Sequence, residues 1–208
     1  MKSSTQTHKP DLYQILREKD SKLNQAVNNK NGILQGKNRD HYSSIPNNYE
    51  KLSITLRKLF LQIHDKKKMI LPKFLDVGCG FGTTLMLAEA IGYDGYGIEY
   101  NQKNKPFAST RLIWYGDAFD YENENEERSY SQFDVIYYYR PISDYDLQLK
   151  LESLIEDKMS PGAFLIASYK QDHTIETNPN FKIIKKEAWT YGLTYITQKI
   201  IRPRKIKR

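Results

Sequence analysis

The stretch FLDVGCGFGTTLMLAEAIGYDGYGIEYN, residues 74–101, decides the fold, because a strand, a glycine turn, a helix and a second strand follow one another in it without a break. Phe74, Leu75 and Val77 give the short apolar run of a buried parallel strand. Gly78, Gly80 and Gly82 then lead the chain through a turn in which a Cβ would oppose either a positive φ or the close approach of a ligand. The spacing predicts a helix over 83–91, with Leu85, Met86 and Ala90 toward one side and Gly92 as its stop. A second strand over 96–98 ends in Glu99. In an open α/β sheet ligands bind beyond the carboxyl ends of the strands, so the glycine turn and Glu99 face one crevice.

Two ligand classes use that geometry. A dinucleotide fold asks for G-x-G-x-x-G, but Thr83 stands at the third glycine position and Gly82 comes one residue early, which weakens an oxidoreductase reading. The D-x-G-x-G-x-G spacing from Asp76 to Gly82 instead resembles the first motif of the class I S-adenosylmethionine-dependent methyltransferases. The resemblance implies a Rossmann-like, doubly wound α/β sheet, mostly parallel with an antiparallel C-terminal hairpin. It implies that Asp76 helps hold the methionine end of S-adenosyl-L-methionine, with Gly78, Cys79, Gly80 and Gly82 around it. Glu99 would accept hydrogen bonds from both ribose hydroxyls, with Tyr100 beside it. Further along, Leu112, Ile113 and Trp114 read as a third strand running into Gly116-Asp117-Ala118. By the same resemblance Asp117 approaches the adenine amino group and Ala118 lies under the ring; an ordinary Asx-turn is the competing reading of Asp117.

The end of the fourth strand, FDVIYYY over 133–139, bears on the acceptor. Enzymes of the family that methylate exocyclic amines or certain amides usually carry N/D/S-P-P-Y/F/W here, whereas this chain has Tyr139-Arg140-Pro141-Ile142. That chemistry is disfavoured. Tyr138, which by resemblance contacts the cofactor, Tyr139 and Arg140 would make an aromatic and cationic pocket edge suited to an anionic or aromatic acceptor, with strand packing as the alternative for some of the tyrosines.

The 208 residues suffice for one domain with extensions. No run approaches 18 apolar residues and the first residues lack a signal-peptide core, so a soluble, cytoplasmic protein with no membrane partner is expected. The single cysteine, Cys79, has no partner for a disulfide or a cysteine metal site, and no ligand cluster argues for a metal. The net charge of +7 is unevenly spread. Residues 1–73 hold 15 Lys/Arg against 6 Asp/Glu, residues 74–170 hold 8 against 16, and residues 171–208 hold 9 against 3, giving +9, −8 and +6. The cofactor-binding body is acidic between two basic ends, which could track nucleic-acid phosphates or be no more than solvated surface.

Three segments are expected: a helical extension and possible lid over 1–45, the methyltransferase domain over 46–201, and a basic tail over 202–208. Pro10 with Leu12, Ile15, Leu16 and Leu23 predicts a short helix, and residues 24–39, rich in Asn, Lys, Gln and Gly, predict a loop. By the same resemblance Arg39, His41 and Tyr42 belong to a candidate lid, with Tyr42 touching the acceptor; an ordinary loop leading into the packing helix is the competing reading. Asn47 and Glu50 fit a capping box opening a helix in which Tyr49, Leu52, Leu56, Leu59, Phe60 and Ile63 repeat at offsets of three and four. After the second strand, Pro106 leaves room only for a reduced helix or loop. The acids of 120–127 read as solvated surface. Ser143 and Asp146 suggest a capping box before a helix carrying Leu147, Leu151, Leu154 and Ile155, then a fifth strand over 163–169. The segment after it is polar, with His173 at the surface. Strands over 181–189 and 193–201 form the closing hairpin.

The chemistry implied is direct displacement on a sulfonium, with a small-molecule acceptor ahead of RNA or protein. Tyr139, Asp144 and His41 are the candidate bases where an oxygen or thiol acceptor needs proton removal. A non-catalytic scaffold that docks nucleic acid through the basic ends is the alternative from a different class.

Overall fold

The computed structural model describes residues 12–31, 48–67, 70–107, 112–122, 128–189 and 192–201. In order these form α1 (Leu12–Asn31), α2 (Tyr49–Lys67), β1 (Lys73–Val77), α3 (Thr83–Ile91), β2 (Asp94–Glu99), β3 (Ile113–Tyr115), β4 (Val135–Tyr139), α4 (Tyr145–Lys158), β5 (Phe164–Ser168), β6 (Phe181–Trp189) and β7 (Gly192–Lys199). One sheet runs β3-β2-β1-β4-β5-β7-β6. The first five strands in that order are parallel, and β7 pairs antiparallel with both β5 and β6. The chain winds outward from β1 to β3, then returns to β4 beside β1 and winds the other way. The carboxyl ends of β1 and β4 thus flank the point where strand order reverses, the usual ligand crevice of such a sheet.

Parallel strands covered on both faces need apolar residues on both, and alternate residues of one strand feed different layers. Phe74, Val135, Tyr137, Phe164 and Ile166 pack with α1, α2 and α3; Leu75, Val77, Ile136, Tyr138, Leu165 and Ala167 pack with α4. The fold is α/β, Rossmann-like and doubly wound, with an antiparallel C-terminal hairpin. On the first face Leu52 and Leu56 of α2 are 0% exposed, and truncating such a side chain to alanine costs about 2–5 kcal/mol. The N-terminal helix docks on the same layer: Leu16 is buried, and the Tyr13 hydroxyl donates to Ser53 Oγ at 3.1 Å. At the other end of the chain Lys199 of β7 donates to the carbonyls of Glu156, Asp157 and Met159, each at 2.8 Å, closing the C-terminus of α4.

Several boundaries differ from the expectations. α1 runs on through 24–31, where no glycine or proline interrupts it. The cap of α2 is Asn48, whose Oδ1 accepts the Lys51 N–H at 3.1 Å; Asn47 lies outside the described residues. Asp144, not Ser143, caps α4, its Oδ1 accepting the Leu147 N–H at 3.0 Å. Ala90 of α3 is exposed while Leu87 and Ala88 are buried, since α3 lies between the sheet and the other helices and buries a broad arc. The reduced helix before β3 is a 3-10 segment at Gln102–Phe107. No helix among the described residues is long and apolar enough to cross a membrane.

Candidate functional site

The glycine turn leaves β1 with φ of 78° at Gly78, 56° at Gly80 and 76° at Gly82. The Gly78 and Cys79 N–H groups both donate to the Ile98 carbonyl, at 2.9 and 3.0 Å, which ties the turn to β2. The two leading glycines have different surroundings. A Cβ on Gly78 would sit 2.4 Å from Cβ of Pro141, whereas one on Gly80 would meet nothing within 4 Å among the described residues. Gly78 is required by packing as well as by φ, and Gly80 faces open space among the described residues.

Glu99 ends β2 buried, at 8% exposure, with Oε2 accepting the Gly80 N–H at 2.8 Å and Oε1 accepting the Asn101 N–H at 2.6 Å. Each oxygen keeps a further acceptor direction. Burial raises its pKa, against the lowering by those two hydrogen bonds. Asp76, also buried, lies on the same strand as the turn, and burial, then Asp76, then Glu99 push the Cys79 thiol well up. A thiol so held is no nucleophile. Tyr115 stands opposite Glu99 in the β2–β3 register, its pKa raised to about 12 by burial first and then by Cys79 and Glu99. Its hydroxyl is buried with no hydrogen-bond partner among the described residues. The sequence reading ended this strand one residue early and missed Tyr115.

The Gly116 N–H donates to the Glu99 carbonyl at 3.0 Å, bringing the next loop to the same edge. There Asp117 forms the Asx-turn, Oδ1 accepting the Phe119 N–H at 3.0 Å. Ala118 is half-buried beside it, and Tyr100 is 59% exposed.

At the end of β4 the three candidates part. Tyr138 turns to the α4 face with no exposed surface, its pKa pushed well up by burial and then by Glu152, Glu156 and Asp172. Tyr139 turns to the opposite face. Arg140 takes φ 33°, and its guanidinium lies 4.9 Å over the ring of Tyr169, itself at φ 55° just past β5. The Tyr139 and Tyr169 ring centroids are 6.4 Å apart. Tyr169, read from sequence only as a strand residue, thus joins this group.

No protein-family model matches the chain, and no curated protein matches its sequence. Among solved structures it is similar to an S-adenosylmethionine-dependent methyltransferase from Clostridium acetobutylicum, at TM-score 0.50 and 12% identity over 74% of this chain and 93% of that one. A Haemophilus influenzae protein described as a methylase gives TM-score 0.50 and 12% identity over 72% of this chain and 99% of that one. The chain has the class I methyltransferase fold.

Within this methyltransferase fold a buried polar network holds the loops after β4 and β5. Glu152 of α4, 0% exposed, accepts on Oε1 from Gln148 Nε2 and the Gln171 N–H, and on Oε2 from Lys170 Nζ and the Asp172 N–H, all at 2.9–3.0 Å. Lys170 also pairs with Glu156 at 2.6 Å, and Gln148 Oε1 accepts the Ile142 N–H at 3.1 Å. The sequence reading named only the apolar stripe of this helix; the signal that could have found the network is the i, i+4 row Gln148, Glu152, Glu156 beside the apolar positions 151 and 155. Asp144 is engaged as the helix cap. His173 is exposed, with Nδ1 2.9 Å from the Tyr195 hydroxyl. Arg39, His41, Tyr42 and the tail over 202–208 lie outside the described residues. Among the described residues no cluster of His, Cys, Asp and Glu could hold a metal.

Proposed function

We propose that this chain is an S-adenosylmethionine-dependent methyltransferase acting by direct displacement on a small-molecule acceptor. The observation that carries the reading is the pairing of an open, left-handed Gly80 with the buried Glu99 carboxylate that accepts its N–H. The residues present fit the cofactor. Room at Gly80 lets a ligand approach the backbone, while spare acceptor directions on Glu99 and the unsatisfied Tyr115 hydroxyl offer polar partners.

When bound, the cofactor supplies a methyl group already activated on a sulfonium. The protein's own work is to hold, orient and exclude water. In this proposal Glu99 takes the ribose hydroxyls, Asp76 the methionine end and the Asp117 loop the adenine. The acceptor lies beside Tyr139 and Arg140. An amine acceptor must be presented neutral; an oxygen or thiol acceptor gives its proton to a base, for which Tyr139 is the described candidate nearest the end of β4.

The basic flanks, +9 over 1–73 and +6 over 171–208, favour RNA as the second acceptor. A labelled-methyl screen of purified protein against small molecules, RNA and protein separates the readings. Label in the small-molecule fraction supports the first. Label confined to RNA or protein replaces it, and no transfer despite cofactor binding points to a scaffold.

A further inference from the structure

Arg140 makes no ion pair among the described residues, and its Nε is buried without a hydrogen-bond partner. Its guanidinium lies over the Tyr169 ring, 4.9 Å from the centroid. Buried guanidinium N–H groups are costly to leave unmatched. Two acids of the adjoining α4 segment are committed elsewhere: Asp144 caps α4, and both oxygens of Glu152 are saturated by four donors. Arg140 and Tyr169 also hold positive φ, which glycine would adopt without strain, so what these positions retain is the side chain. They stand at the carboxyl ends of β4 and β5, and Pro141, the residue after Arg140, packs against Gly78 of the cofactor turn.

We infer that the methyl acceptor carries an oxyanion, a carboxylate or a phosphate monoester, which the Arg140 guanidinium binds while Tyr139 and Tyr169 flank the adjoining planar part. The planar fork of arginine fits either oxyanion, and its stacking on Tyr169 keeps the fork oriented. The inference rests on the methyltransferase reading and names the acceptor class of that site.

The test is calorimetric titration of the full chain, saturated with S-adenosylhomocysteine, with benzoate, phenyl phosphate and benzamide; the last keeps the shape of benzoate without its charge. At least one anion is expected to bind about tenfold or more tighter than benzamide, and the better of the two tells carboxylate from phosphate. Arg140→Gln should abolish the preference. Arg140→Gly, which relieves the positive φ, should abolish it too with an unchanged or higher Tm, so that lost binding is not lost folding. Equal affinity for all three probes, no saturable anion binding up to about 10 mM, or a preference that survives Arg140→Gln overturns the inference. Failure of S-adenosylhomocysteine itself to bind counts against the methyltransferase reading instead, and the anion comparison is then made on the ligand-free protein.

Discussion

Loops at the same end of the sheet take left-handed backbone in two opposite ways. After β1 the positive φ values fall on Gly78, Gly80 and Gly82; after β4 and β5 they fall on Arg140 and Tyr169. The first loop gives up side chains so that backbone can approach a ligand or another loop. The loops after β4 and β5 each keep a large side chain in a conformation that disfavours it, and the buried Gln148–Glu152–Lys170 network ties both loops to α4. The loops touch where Pro141 packs on Gly78, so the strained side chains are positioned against the glycine turn.

Breaking the support of the loops after β4 and β5 should have the largest effect. Glu152→Ala removes the acceptor of four donors and leaves Lys170 with Glu156 alone; urea unfolding is expected to show a loss of about 3–5 kcal/mol. A change within the range of an ordinary surface substitution would mean that this network does not hold the loops. Within the first loop, Gly78→Ala should cost about 2–4 kcal/mol, combining left-handed strain with a clash on Pro141. Gly80→Ala carries the strain alone, about 1–2 kcal/mol, yet should lower affinity for S-adenosylhomocysteine. Equal unfolding costs for the two variants would remove the distinction between a packing glycine and a ligand-facing one.

The smallest effect is a pH dependence. Burial raises the Glu99 pKa in the folded chain above the ordinary glutamate value. Between the unfolded and folded values the native state holds the extra proton, so stability is highest below that window and falls as pH rises through it. Glu156, also raised by burial, contributes in the same direction. Glu99→Gln should flatten part of the slope and leave the Glu156 share. A stability–pH curve identical to that of the unmodified chain would remove Glu99 as a source.

The fold was legible wherever one short stretch carried its own instructions. Residues 74–101 contain strand, turn, helix and strand with their stop signals, and the closing hairpin follows from two apolar runs around Tyr191-Gly192. Boundaries that depend on tertiary contact were not. α1 continues past Leu23 because packing of Leu16 and Tyr13 on the body anchors a helix whose second half has no apolar stripe of its own. In the candidate site, Glu99 and the glycines could be named from spacing, but Tyr115, Tyr169 and Glu152 could not. Tyr115 matters through its pairing opposite Glu99, Tyr169 through a left-handed turn beyond β5, and Glu152 through donors from loops 18 to 20 residues away. The split between Tyr138 and Tyr139 depends on which face of β4 each residue takes, a register that the run VIYYY does not mark.

The most direct test is calorimetric titration of the chain with S-adenosylhomocysteine, with NADH as control and Glu99→Ala beside it. The account predicts saturable binding of S-adenosylhomocysteine, none of NADH, and a loss of about 1–3 kcal/mol of affinity in Glu99→Ala. Binding of NADH in its place, or no binding of S-adenosylhomocysteine by a folded protein, would contradict it.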